Sequence, residues 1–235
     1  MNKLPTILLW NLLGAVVALS WIFLPGHGLW ARWDVSIFQT FNALIAEPGP
    51  WRTFMAVTNH RLFDLVSLGC MLALLASRFV QGDGPVRARW VAIGLWMMLV
   101  ALLLNRIGHL LPVERPSPTL SLSWALRLTE LTDFPTKDSS SDSFPGDHGM
   151  MLMVFAAFML RFAPRWMGLL ACLMVPVFTL PRMMVGAHWF TDIYMGSLAV
   201  VTLVIPWLLL TPVSDKVVSG LSAWLLRQSW LQRWL

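Results

Sequence analysis

Five ionisable residues whose types suit phosphoryl transfer lie in three separate stretches of the chain. They are Arg115, His148, Arg182, His188 and Asp192. A histidine can attack phosphorus through one ring nitrogen while a carboxylate holds the other, and the planar forks of arginine match phosphate oxygens. A second histidine could give a proton to the leaving group. These residue types predict phosphoryl transfer through a phosphohistidine, without a metal.

The spacing of these residues favours a shared site. His188 and Asp192 are four residues apart, so they lie on one face if a helix begins at His188. Pro145 follows Ser143 and precedes an apolar run, which predicts Pro145 as the first residue of a helix capped by Ser143. His148 would then lie in the first turn, where free N–H groups and the helix dipole favour a bound phosphate. Taken alone, this stretch is equally compatible with an ordinary cap beside a surface histidine.

The composition places the chain in a membrane. Of its 235 residues, 57% are hydrophobic and 12% are charged, whereas soluble domains carry roughly 25% charged residues. The 14 tryptophans fit interfacial aromatic belts, and the net charge of +5 suggests contact with anionic membrane lipids. No nucleic-acid-binding motif is present, so we expect no nucleic-acid partner. Cys70 and Cys172 both lie in apolar runs, which predicts packed thiols rather than a disulfide or a zinc site.

The apolar segments predict an all-α integral membrane protein, with one bundle of six transmembrane helices in a single domain covering 1–235. The expected spans are 5–24, 62–80, 90–111, 148–162, 166–186 and 189–210. Residues 81–89 are expected to form the turn between the second and third spans. Interfacial helices are expected near 30–46 and 214–235, where apolar residues recur at helical spacing.

Six spans place both termini on one face of the membrane and all three polar clusters on the other. Of the 17 lysines and arginines, nine lie on the face of the termini, seven lie on the opposite face, where most acidic residues also lie, and Arg106 lies within the third span. The positive-inside rule therefore predicts cytoplasmic termini and a site on the outer face. Because the ionisable groups lie at helix ends rather than at mid-membrane, a proton-coupled transporter is disfavoured.

The three clusters resemble the three-part signature of the type 2 phosphatidic acid phosphatase superfamily, K-x6-R-P, P-S-G-H and S-R-x5-H-x3-D. The matching residues are Arg115 and Pro116, then Pro145 and His148, then Arg182, His188 and Asp192. The resemblance implies His188 as nucleophile, Asp192 as its orienting carboxylate and His148 as general acid/base. It also implies Arg115 and Arg182 as phosphate ligands, and a six-helix membrane fold.

The sequence departs from this signature at four positions. Gly108 stands where the first part has lysine, Gly146 and Asp147 replace Ser-Gly, and Pro181 replaces serine. The chain thus lacks one cation, and Asp147 adds an anion close to the expected phosphate. We expect Lys137 to replace the missing cation; a solvated loop lysine is the alternative.

Several longer runs are similar to the lipid A 1-diphosphate synthases of Gram-negative bacteria. These runs cover 58–64, 115–120, 135–138, 142–151 and 186–192. The resemblance implies transfer of a phosphoryl group from undecaprenyl diphosphate to lipid A or Kdo-lipid A. The site would lie on the periplasmic side of the cell inner membrane, and no cofactor is expected. Two alternatives stay open: an undecaprenyl diphosphate phosphatase that uses water, and a non-catalytic lipid-binding or transport protein.

Overall fold

The computed structural model describes residues 3–229, and all the regular secondary structure of these residues is helical. The α-helices are α1 Leu4–Phe23, α2 Gly28–Ala43, α3 Pro50–Thr58, α4 Phe63–Val80, α5 Gly84–Gly108, α6 Pro118–Ser121, α7 Asp147–Phe162, α8 Arg165–Met184, α9 Leu198–Leu209 and α10 Val213–Arg227. A π-helical segment, Asp192–Ser197, leads directly into α9. Short 3-10 turns cover Pro25–His27 and Leu128–Glu130.

Five of the expected membrane spans are confirmed as helices long and apolar enough to cross a bilayer. They are α1, α4, α5, α8 and the continuous helix Asp192–Leu209. The remaining one, α7, has 16 residues, and nine of them are buried against other helices. At 1.5 Å per residue it is shorter than the roughly 30 Å hydrocarbon layer. The count of six spans therefore stays a prediction.

The start of α5 differs from its predicted position. The helix begins at Gly84, so the prediction of a turn extending through Arg89 was wrong. Asp83 caps the helix, and its Oδ1 accepts a hydrogen bond from the Val86 N–H at 3.1 Å. Pro85 then occupies the first turn, where its fixed φ and missing N–H are no disadvantage.

Helices are confirmed in both regions expected to lie at the membrane interface. The first, α2, buries Asp34, Phe38 and Asn42 on one face, and the chain then forms α3 as a separate helix that the sequence analysis did not predict. The second is α10, which buries Val218 and Leu225. The last part of the expected tail helix, 230–235, lies outside the described residues.

The bundle brings four helix ends together. The C-terminal ends of α5 and α8 meet the N-terminal ends of α7 and of the Asp192–Leu209 helix, and the loop 112–146 covers them. α1 packs along α9 at Gly14, where an added Cβ would lie 2.4 Å from the Thr202 Oγ1. Asn11 of α1 accepts a hydrogen bond from Trp207 near the end of α9, and Trp21 stacks on Phe144 beside the polar clusters, so the N-terminal end of α1 lies at the opposite end of the bundle from these clusters.

Gly108, the residue in the place of the superfamily lysine, is required by packing. A Cβ at this position would lie 2.6 Å from Cγ of Pro145 and 3.2 Å from Cε of Met150. Any larger side chain would collide with the segment that leads into α7. This contact gives a physical reason for the loss of the lysine, because the chain cannot hold a lysine here without moving Pro145.

We predict that Gly108→Ala lowers the free energy of unfolding by about 1–3 kcal/mol, because overpacking forces neighbouring atoms to shift. Gly94→Ala is the matched control on the same helix, since its Cβ would meet nothing closer than 3.9 Å. Thermal unfolding in detergent would compare the two variants. Equal midpoints for both would show that the Gly108–Pro145 contact is not tight.

Candidate active site

A polar pocket of about 270 Å³ lies where the four helix ends meet. Its ionisable lining residues are Arg61, His109, Lys137, Asp142, Asp147, His148, Arg182 and His188. Five of the seven predicted site residues are in this lining. The other two, Arg115 and Asp192, lie outside the lining, and Asp192 is fully buried.

Hydrogen bonds between the covering loops fix the walls of this pocket. The Ser143 N–H donates to the Arg115 carbonyl at 2.8 Å. The Thr119 hydroxyl lies 2.6 Å from the Asp138 carbonyl and 3.1 Å from the Gly186 carbonyl. Thr119 thus ties the loop before α7 to the loop after α8, which carries the candidate nucleophile.

His188 lies in the loop before the helix that contains the π-helical segment and α9, and the first helical residue there is Phe190. The condition for a shared helix face of His188 and Asp192, a helix that begins at His188, is therefore not met. The His188 Nδ1 is 2.9 Å from the Ser143 carbonyl oxygen and 3.7 Å from the Asp192 Oδ2. Because a carbonyl oxygen only accepts hydrogen bonds, Nδ1 carries the proton in this contact. In a neutral ring, Nε2 is then left with a free lone pair.

Asp192 holds the His188 loop from behind. Its Oδ2 accepts a hydrogen bond from the Trp189 N–H at 2.7 Å, and its Oδ1 accepts one from the Arg115 guanidinium at 3.1 Å. It also opens the π-helical segment, a geometry often found at functional sites. The structure thus places the carboxylate near His188, although the nearest polar partner of that ring is the Ser143 carbonyl. The orienting role of Asp192 stays a prediction.

Arg115 is engaged in a cluster behind the pocket. Its Nη2 is 2.6 Å from the Asp34 carboxylate, its Nη1 is 2.6 Å from the Thr191 hydroxyl, and its guanidinium stacks 4.7 Å from the Trp189 ring. With Asp192, two carboxylates therefore share this one guanidinium. The predicted role of Arg115 as a phosphate ligand stays a prediction, and this geometry favours a positioning role.

Asp34 is a site-supporting residue that the sequence analysis missed. It is 2% exposed, and it accepts hydrogen bonds from the Thr191 N–H at 2.9 Å and from the Thr191 hydroxyl at 2.7 Å. Burial raises the pKa of Asp34, and the Arg115 guanidinium opposes that rise. In the sequence this aspartate resembles a solvated residue on the polar face of an interfacial helix.

The second positive cluster gathers around Asp64, which was also missed. The carboxylate accepts from the Lys137 Nζ at 2.5 Å and from the Arg182 guanidinium, and the His148 Nε2 lies 3.4 Å away. Lys137 therefore lies beside Arg182 and His148 in the pocket, where the hypothesis of a replacement cation requires it. An aspartate at the start of an apolar helix resembles an ordinary acidic residue that interacts favourably with the helix dipole. This explains why Asp64 was overlooked.

Asp147 lies against a further missed residue, His109. The Asp147 Oδ1 is 2.9 Å from the His109 Nε2, and the other ring nitrogen is 3.8 Å from the Asp142 carboxylate. The anion added by the altered second motif thus has a titratable partner of its own. A histidine at the end of a predicted span was visible in the sequence, but no motif marked it.

The start of α7 corrects a second predicted boundary. The helix begins at Asp147, with Gly146 at the N-cap, so Pro145 is not its first residue. The Ser143 hydroxyl donates to the Arg115 carbonyl instead of capping the helix. Gly146 has φ +72°, and an added Cβ would lie 2.9 Å from Ile193. The prediction that His148 lies in the first turn is confirmed, and no described side chain caps the first N–H groups there.

Within residues 3–229 there is no group of three or more histidine, cysteine, aspartate or glutamate side chains arranged to hold a metal ion. The expectation of metal-independent chemistry stays a prediction. Cys70 and Cys172 are both free thiols; Cys172 packs against the helical core as expected, whereas Cys70 is exposed on the surface of the bundle.

Removing Asp34 should destabilise the protein strongly, because it leaves the partly buried Arg115 with an incomplete counter-charge and the buried Thr191 donors without their acceptor. We predict that Asp34→Ala lowers the free energy of unfolding by about 3–5 kcal/mol. Asp215→Asn is the control, because its pair with Arg161 is largely exposed and is worth about 0–1 kcal/mol. Thermal unfolding in detergent measures both. A similar small effect of the two substitutions would contradict a supporting role for Asp34.

Comparison with known proteins agrees with the motif analysis. The sequence model of the PAP2 superfamily matches residues 90–215. The chain is 46% identical over 219 residues to the lipid A 1-diphosphate synthase of Escherichia coli (strain K12), covering 93% of this chain and 92% of that protein. It is 26% identical over 167 residues to YbjG, a proposed undecaprenyl-diphosphatase of the same organism, covering 71% of this chain and 76% of that protein.

No solved structure matches the chain at a significant level. The superfamily match covers more than half of the chain, and the 46% identity extends over nearly all of it. Both similarities confirm the resemblance based on the three polar clusters. The chain therefore belongs to the PAP2 superfamily, as a phosphotransferase similar to lipid A 1-diphosphate synthase.

Proposed function

We propose that this enzyme transfers the terminal phosphoryl group of undecaprenyl diphosphate to lipid A or Kdo-lipid A. The products would be lipid A diphosphate and undecaprenyl phosphate. The observation that carries the proposal is the geometry of His188, whose Nδ1 is tethered to the Ser143 carbonyl while the ring lines a cation-rich pocket. The identities of donor and acceptor rest on the similarity to lipid A 1-diphosphate synthase.

In the first step, Nε2 of His188 attacks the terminal phosphorus. The bond between that phosphorus and the bridging oxygen breaks, and undecaprenyl phosphate leaves with the electron pair. Arg182, Lys137 and the first N–H groups of α7 lie where they can stabilise the negative charge on the transferred group. Phosphate positioning and charge stabilisation supply most of the catalysis in reactions of this kind.

In the second step, a phosphate oxygen of lipid A attacks the phosphohistidine in line. The P–N bond breaks, and its electron pair returns to Nε2 of His188. The leaving group of the first step is a phosphate with a second pKa of about 6, so it needs little help from an acid. The acceptor is already an anion, so it needs little help from a base. His148 then assists both steps less than it would assist hydrolysis.

We place the site on the periplasmic side of a multi-pass protein of the cell inner membrane. The distribution of basic residues supports cytoplasmic termini. The bundle supports this arrangement, because the N-terminal end of α1 lies opposite the polar pocket. A sixth span formed by α7 would complete the expected topology. Its short length suits a helix that is surrounded mainly by protein.

A second candidate function is hydrolysis of undecaprenyl diphosphate, with water as acceptor. The 26% identity to YbjG favours this activity, and the pocket is open to water. Both activities would pass through the same phosphohistidine. They differ only in what attacks it, so the acceptor must be determined by experiment.

Donor labelled at its terminal phosphate separates the two functions. We expect purified protein in liposomes to move the label to lipid A, with little free phosphate, and His188→Ala to move none. The reaction would be followed by thin-layer separation of the labelled lipids, with and without lipid A. Release of free phosphate at the same rate in both conditions would make the enzyme a phosphatase.

The two histidines should differ in how much transfer depends on them. We predict that His188→Ala abolishes transfer, whereas His148→Ala lowers kcat by roughly 10²-fold, at the low end for general acid–base groups. Initial rates of label transfer by both variants, at matched protein amounts and thermal stability, give the comparison. Equal and complete loss of transfer in both variants would contradict the inference that the leaving group and the acceptor need little acid–base help.

A further inference from the structure

Asp64 brings together three elements of the pocket. Its two carboxylate oxygens contact Lys137 from the loop before α7, Arg182 from the end of α8 and His148 from the first turn of α7. Asp64 itself is at the start of α4, outside the residues 90–215 that the superfamily model matches. The carboxylate therefore comes from the N-terminal part of the chain, outside the matched segment.

Asp64 lies behind the pocket rather than in its lining. It lines a narrow neighbouring groove between α4, α7 and α8, whose walls include Phe63, Met71 and Phe178. His148 and Arg182 line both this groove and the polar pocket. Asp64 thus contacts His148 and Arg182 from the apolar groove, whereas a substrate phosphate would reach them from the polar pocket.

Asp64 and a bound phosphate would compete for the same positive charges. Arg182 is 4% exposed, so without an anion beside it the guanidinium would be a buried, uncompensated charge. Asp64 supplies that anion when the site is empty. A phosphate entering the pocket is attracted to the same two cations, Lys137 and Arg182, and any N–H that turns toward it from Asp64 leaves the carboxylate.

We propose that Asp64 is a positioning residue that also competes with phosphate for these donors. It holds Lys137, Arg182 and His148 together in the empty enzyme, and it yields the two cations to the phosphate when the substrate binds. After transfer it takes them back, which speeds release of the phosphate-bearing products. This inference deepens the proposed function and rests on it for the identity of the substrates.

Inorganic phosphate is a suitable probe, because its binding can be measured without any turnover. We expect Asp64→Asn to bind phosphate about tenfold more tightly than the wild type, measured as thermal stabilisation over a phosphate titration. Asp64→Glu keeps the competing charge and should bind as the wild type does. Asp215→Asn removes a carboxylate from an arginine pair at the other end of the bundle, and it should leave phosphate affinity unchanged.

The kinetics of label transfer should show the same competition. We expect Asp64→Asn to lower both KM for the donor and kcat, because phosphate groups bind more tightly and leave more slowly. Loss of a merely structural contact would raise KM or leave it unchanged. Unchanged or weaker phosphate binding by a folded Asp64→Asn protein would overturn the inference.

A measurement on the wild type covers the case in which Asp64→Asn does not fold. A water-soluble carbodiimide labels free carboxylates, and sulfate is an oxyanion that this reagent does not activate. We expect sulfate to increase labelling of Asp64, read by mass spectrometry, and to leave labelling of Asp215 unchanged. No increase would overturn the inference.

If the carboxylate responds as expected but lipid A receives no label, the competition stands and the proposed acceptor is wrong.

Discussion

An arginine removed from water needs an anion against it, and the site of this enzyme contains two arginines that depend on this constraint, the buried Arg182 and the partly buried Arg115. Arg115 lies against Asp34 and Asp192, and Arg182 lies against Asp64. In a low-dielectric environment these pairs are strong, but each charge would be costly without its partner. Two of the three carboxylates come from the first third of the chain, so the N-terminal helices supply counter-ions to the candidate site.

The two arginines have different surroundings, and this difference divides the site into two parts. The Arg115 cluster is closed, because two carboxylates, a hydroxyl and the Trp189 ring surround the guanidinium. It fixes the start of the helix that follows the His188 loop. The Arg182 cluster borders the pocket and contains Lys137 and His148, which line the pocket too. It is the part that can exchange one anion for another, as phosphoryl transfer requires.

The sequence predicted well the features that depend on composition and short spacing. Five of the six spans predicted from long apolar runs are membrane-length helices, and the three motifs predicted a pocket that contains His148, Arg182 and His188. The boundaries at Gly84 and Asp147 were missed, because capping by Asp83 and packing of Gly146 against Ile193 decided them. Asp83, Gly84 and Pro85 did carry a visible capping signal for the first of these boundaries.

The counter-ions could not be predicted, because they are tertiary contacts. Asp34 and Arg115 are 81 residues apart, and Asp64 and Arg182 are 118 apart. No local pattern distinguishes these aspartates from solvated ones. The closed surroundings of Arg115 could not be predicted for the same reason. The motif identifies the arginine, but it does not show that two carboxylates pair with it.

The most direct test of the account is the position of the phosphate on the reaction intermediate. Wild-type protein would be incubated with undecaprenyl diphosphate without acceptor, quenched in alkali, and examined by ³¹P NMR and peptide mass spectrometry. The account predicts phosphate on Nε2 of His188, because Nδ1 is held by the Ser143 carbonyl. Phosphate on Nδ1, or on another residue, would contradict it.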